Sequence, residues 1–194
     1  MPLQDFIFYF KLGWEHIISA DALDHQLFVL ALVAIYSYVN LKQVLILVTA
    51  FTIGHSLTLL LSVLDIIRFD SKWVEFLIPC TIVITAISNL FRKDFSLKSI
   101  KINYFLALGF GLIHGMGFAN SIRIMLAKDQ NIGWGLFGFN LGLEAGQVFM
   151  VIMILLITFL VFNYTRIKRM SWVLFISAAV FSLALKMALE RIPF

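Results

Sequence analysis

The sequence holds a single cysteine, Cys80, only three prolines and few charges, with Asp, Glu, Lys and Arg making up 13% of 194 residues. One cysteine excludes both a disulfide framework and a thiolate cluster, so any metal donor set must come from His, Asp, Glu, Asn or backbone oxygen. No Pro/Ser-rich linker, low-complexity tract or nucleotide-binding loop interrupts the chain, so residues 1–194 read as a single integral membrane domain. With 61% hydrophobic residues and a mean hydropathy of +0.97, a soluble globular domain is excluded. The net charge of +4 does not point to nucleic acid, because the basic residues sit in short gaps between apolar runs and report orientation instead. The start, MPLQDFIFYFKLGWEHII, lacks a basic region ahead of its apolar stretch and a small-residue cleavage site, and is not read as a signal peptide.

What is present is a series of apolar stretches at about 24–40, 42–64, 73–91, 102–126, 134–162 and 171–189, each close to the ~20 residues that cross ~30 Å of hydrocarbon. They predict an all-α, polytopic membrane helix bundle of about six transmembrane helices, with the lipid bilayer as its solvent. Residues 3–18 are aromatic-rich but shorter and carry Lys11, Glu15 and His16, which predicts an N-terminal amphipathic or partly inserted helix. Two dense basic clusters, Arg92, Lys93, Lys98 and Lys101, then Arg166, Lys168 and Arg169, join Lys42 on one side. Lys11, Arg68, Lys72, Arg123, Lys128 and Arg191 fall on the other. The clusters assign their side to the cytoplasm and both termini to the outside.

All four histidines lie in or beside apolar segments: His16, His25 in LDHQLF, His55 in TAFTIGHSLTLLL and His114 in GFGLIHGMGFA. An ionisable group in hydrocarbon costs several kcal/mol unless partnered, so such residues face the bundle interior and serve a site or pathway. Counted from the outer ends of their spans, His25, His55, His114 and Glu144 fall in the outer half of the bilayer or near its midplane. They are expected to converge on one divalent-metal site, and imidazole with carboxylate suits nickel, zinc, cobalt, iron or copper. Asp24 beside His25 either binds the metal, orients the imidazole through its second nitrogen, or caps a helix. On the fifth span Asn140, Glu144 and Gln147 share one face, while Gly138, Gly142 and Gly146 form a small-residue register for close helix packing. The glycines around His114 admit neighbouring backbone; Thr52 and Ser56 flank His55, and Glu75 lies near an outer helix end.

In the segments GWEHIISADALDHQLFVLAL, TAFTIGHSLTL, FGLIHGMGFA and FNLGLEAGQ, in that order over residues 13–147, the chain resembles HupE/UreJ-type membrane proteins, the hydrogenase and urease accessory proteins. The resemblance implies a multi-pass protein of the bacterial inner membrane that moves nickel or a related divalent metal for metalloenzyme assembly, with assembly proteins as partners. By position it carries the family's His and Asp-His signatures onto His16, Asp24 and His25, its mid-membrane histidines onto His55 and His114, and its acidic helix motif onto Asn140 and Glu144. The family pattern has Gly in place of Ala22 and a shorter interval from the first His to the Asp, which ranks His16 below the other histidines.

Two function classes follow. The first is transmembrane transport of a divalent transition metal through the His/Asp/Glu site. The second is an intramembrane zinc-dependent hydrolase of a lipid-like amide or ester, with three His holding the ion and one position open. They differ in what lies beneath the site: transport requires polar residues toward the inner face, and those stretches are apolar apart from Ser88 and Asn89.

Overall fold

The computed structural model describes residues 2–93, 100–126 and 132–193. Among these the chain forms seven α-helices: α1 Pro2–Ile18, α2 Leu23–Val33, α3 Leu41–Val63, α4 Ser71–Leu90, α5 Ile100–Leu126, α6 Ile132–Tyr164 and α7 Arg169–Glu190. Lys98 and Lys128 of the charge tally lie outside the described residues. Five helices fall where apolar stretches were expected. The first stretch differs, because α2 ends at Val33 and at ~1.5 Å per residue its 11 residues are far too short to cross the hydrocarbon alone. Four described segments are long and apolar enough to cross: Tyr38–Val63, Ser71–Leu90, Gly133–Tyr164 and Arg169–Glu190. Residues Leu3–Ile18 and Ala20–Val33 pass that test only together, as one span bent by 56°. Among the described residues the count by length and composition is therefore four, or five with the bent pair, and does not confirm the six expected.

The break between α1 and α2 leaves carbonyls without helical partners, and in lipid these must be satisfied from within the protein. Gln26 does this: its Nε2 reaches the carbonyls of Ile17, Ile18 and Ser19 at 3.2, 3.2 and 2.7 Å. One amide thus stabilises the end of α1 and holds α2 in place beside it.

Glycines set which helices pair. A Cβ on Gly142 would meet the Phe10 carbonyl, and one on Gly13 the Phe139 carbonyl, so α1 lies along α6 in backbone contact, the two running parallel. Gly54, Gly111 and Gly115 join α3 to α5 in the same way, with Gly115 facing the His55 carbonyl and the Thr58 hydroxyl. These are the close approaches that small residues allow between helices in lipid, where dispersion contacts replace the hydrophobic drive. The larger core, with Phe28, Leu32, Leu47, Val48 and Phe51 buried, fills the centre between α2, α3, α4, α6 and α7.

Candidate metal centre

α1 ends, α2 begins, and α3 and α5 pass at the same level, so their histidines meet. The rings of His16 and His25 are 4.6 Å apart, His16 and His55 5.9 Å, and His25 and His114 5.1 Å between centroids. One nitrogen from each of His16, His25 and His55 lies within 4.8 Å of the others. Nitrogens bound at ~2.0–2.1 Å to one tetrahedral ion stand ~3.3–3.4 Å apart, so the three rings must draw closer together to share an ion.

The state of those nitrogens tests whether a metal fits. His16 Nε2, His25 Nε2 and both nitrogens of His55 are buried with no hydrogen-bond partner among the described residues. An unsatisfied buried polar atom costs about 1–3 kcal/mol, and one ion would satisfy three of them together. Phe118 and Phe139 stack on each other at 5.1 Å and cover His16, which excludes water from that side.

Asp24 orients one ring. Its Oδ1 accepts from His25 Nδ1 at 3.0 Å and from the His25 backbone N–H at 2.8 Å. With Nδ1 carrying the proton, the lone pair of Nε2 is left toward the neighbouring histidines, the arrangement by which a carboxylate fixes a ligand's tautomer. The N-cap residue that precedes α2 is Ala22, which has no side-chain cap, so the capping alternative reduces to Asp24's bond to one first-turn N–H. The other oxygen of Asp24 is 3.7 Å from Arg191 at the end of α7.

His114 stands beside the triad rather than within it. Thr81 Oγ1 donates its single hydrogen to the Ile78 carbonyl at 2.7 Å, so it can only accept from His114 Nε2, 3.1 Å away. The proton of His114 is thereby placed on Nε2, and buried Nδ1 is left without a described partner. Sequence reasoning did not single out Thr81 or Gln26; a hydroxyl and an amide inside apolar runs were the available signals.

Glu144 and Asn140, expected with the histidines, lie elsewhere. Glu144 accepts from Thr49 at 2.7 Å, Gln147 accepts from Thr52 at 2.8 Å, and Asn140 and Glu144 line a separate groove between α3 and α6. At about 100° per residue, the face of α6 that carries Phe139 and Leu143 cannot also present Glu144. Because the glycine face of α6 is turned to α1, Phe139 meets His55 and the carboxylate points aside. His16, ranked lowest from its spacing, takes a place in the triad, and the bent α1–α2 junction accounts for its reach.

The centre is reached through a cavity of about 300 Å³ lined by His16, His25 and His114 together with Asp21, Asp24, Glu75 and Arg191. Three carboxylates against one guanidinium give this lining a formal excess of two negative charges, the complement of a divalent cation. On the opposite side Phe28 stacks on Phe51 at 4.8 Å and packs against His114 at 5.3 Å, closing the floor with apolar contacts.

A family model described as HupE / UreJ protein matches residues 1–191. The chain belongs to the HupE/UreJ family. No curated protein and no solved structure matches it. Membership of the HupE/UreJ family accords with the multi-pass helical architecture and gives the clustered histidines a context of metal handling.

Proposed function

We propose that this HupE/UreJ protein carries a divalent transition metal, nickel or an ion of similar chemistry, across the bacterial inner membrane for the assembly of a metalloenzyme. The observation that carries the reading is the meeting of unpartnered nitrogens from His16, His25 and His55 within 4.8 Å, at the inner end of an acidic cavity. Neutral imidazoles bind borderline metals such as nickel, zinc and cobalt, and without thiolates the set favours none of them strongly.

Orientation follows from the charges. The cavity mouth lies where α4 begins and α7 ends, at Glu75 and Arg191, whereas Arg92, Lys93, Arg166, Lys168 and Arg169 flank the opposite helix ends. With the basic clusters in the cytoplasm, the cavity and both termini face outward. The test is nickel uptake into proteoliposomes containing a fluorescent chelator, wild type against His55→Ala. Uptake that is absent from the wild type, or undiminished in the variant, overturns the reading.

A second reading, a zinc-dependent hydrolase of a lipid-like amide or ester, is favoured by the closed apolar floor beneath the site. In that case His16, His25 and His55 hold zinc, which when bound supplies Lewis-acid activation of water. Release of fatty acid from short-chain amide or ester lipids by the purified zinc-loaded protein, lost in His55→Ala, would decide for it.

A further inference from the structure

Directly beneath the histidines the centre of the bundle is solid, but one seam carries oxygen past that floor. On α4, Thr81, Thr85 and Ser88 recur at intervals of four and three residues and so share one helical face, with Arg92 just past the helix end. That face meets α5: Thr81 lies against His114, and Ile78, one turn earlier, lies against Gly117. Toward the basic end of the bundle the same two helices, with Leu32 of α2 and Ile35 just beyond it, border a crevice of about 30 Å³ lined by Thr85, Ser88 and Asn89 of α4, by Asn103, Ala107 and Phe110 of α5, and by Arg92. The volume admits about two waters. Toward the other end they line the acidic cavity through Glu75, Ile78, His114 and Gly117. From Thr81 to Thr85, and from His114 to Phe110, is a little over one turn, so ~6 Å of helix separates the two spaces.

Between the cavity and the crevice this face offers oxygen to a cation, with the Arg92 guanidinium at its basic end. Thr81 donates to the Ile78 carbonyl and Thr85 to the Thr81 carbonyl at 2.9 Å, which commits both hydroxyl hydrogens to the backbone and leaves the oxygens as acceptors. Asn89 spends an amide hydrogen on the Ala31 carbonyl at 2.7 Å and Asn103 one on the Tyr36 hydroxyl at 3.0 Å, so each keeps its carbonyl oxygen as the acceptor. Such oxygens can replace part of an ion's hydration shell as it moves. Packing lets this seam part more readily than the one between α3 and α5. Glycine contacts weld α5 to α3, whereas the α4 face meets His114 through the Thr81 hydroxyl.

We propose that the metal leaves the three-histidine site along the α4–α5 seam, with the Thr81–His114 pair as the gate between the outer cavity and the inner crevice. This rests on the transport reading above. The test fills the crevice: Thr85→Leu and Ser88→Leu are assayed for nickel uptake in proteoliposomes and, separately, for nickel binding to the purified protein. The expected result is uptake reduced by about tenfold or more, as for a barrier raised by ~1.4 kcal/mol, with binding at the histidines retained. Uptake at the wild-type rate in both variants overturns the seam while leaving transport standing. A wild type that binds nickel but moves none overturns the transport reading itself, and the seam with it. If a leucine variant also loses binding, Ser88→Cys in a Cys80→Ala background decides the matter. Its modification by a membrane-impermeant thiol reagent from the basic face, slowed by nickel, supports the route, and no reaction from that face overturns it.

Discussion

Replacing Asp24 by Asn removes one charge and keeps nearly the same shape, which isolates the role of the carboxylate. In the protein, Oδ1 of Asp24 holds His25 Nδ1 at 3.0 Å, and His25 is only 4% exposed, so water has little access to take the place of that partner. The asparagine amide can hold the ring only as a neutral acceptor, with weaker polarisation of the imidazole. Loss of such an outer partner typically weakens metal binding by about 10–100-fold, equivalent to ~1.4–2.8 kcal/mol. Isothermal titration of nickel into the detergent-solubilised protein measures this directly, with His25→Ala as the upper reference. If Asp24 acts through His25, the double variant Asp24→Asn/His25→Ala binds no more weakly than His25→Ala alone, because the two effects are then one interaction counted twice. An Asp24→Asn protein that binds nickel within about twofold of wild type would refute the reasoning, and the carboxylate would be left with its backbone contact alone.

Three further outcomes are expected. His16→Ala weakens nickel binding more than His114→Ala, since His16 supplies a nitrogen within the triad and His114 stands outside it; the same titrations check the order, and the reverse ranking would assign the third ligand to His114. Gly115→Ala drives a methyl group into the His55 carbonyl and the Thr58 hydroxyl, so thermal unfolding should report a loss of about 1–3 kcal/mol, typical of overpacking, together with weaker metal binding. An unchanged melting temperature would show that the α3–α5 contact is looser than it stands. Gln26→Leu strips the bridge from three carbonyls at the end of α1 and should destabilise the bent junction by about 1–2 kcal/mol, seen as faster amide exchange at Ile17 to Ala22, whereas Gln26→Glu, which keeps the length but offers no amide donor, should not restore it.

Much of this molecule was legible from residue order. Long apolar runs, few charges and a lone cysteine suffice for an all-α membrane protein, because only helices or closed barrels satisfy the backbone in lipid. The helical stretches from α3 onward were located to within a few residues, and the pairing of Asp24 with His25 follows from their being neighbours in the chain. The segments around His25, His55, His114 and Glu144 also carried the family resemblance. Residue spacing states which side chains share a face of one helix, but not how that helix is turned about its own axis toward the others. That rotation is set by where glycines let backbones touch: α6 turns Gly138 and Gly142 to α1, and Glu144 is carried away from the histidines as a consequence. The place of His16 likewise depended on a bend that leaves α1 and α2 at 56°, held by an amide nine residues from the first carbonyl it satisfies. The tautomer of His114 depended on Thr81, 33 residues away on another helix. Each of these is a contact between separate elements, and only the packing of the helices against one another decides it.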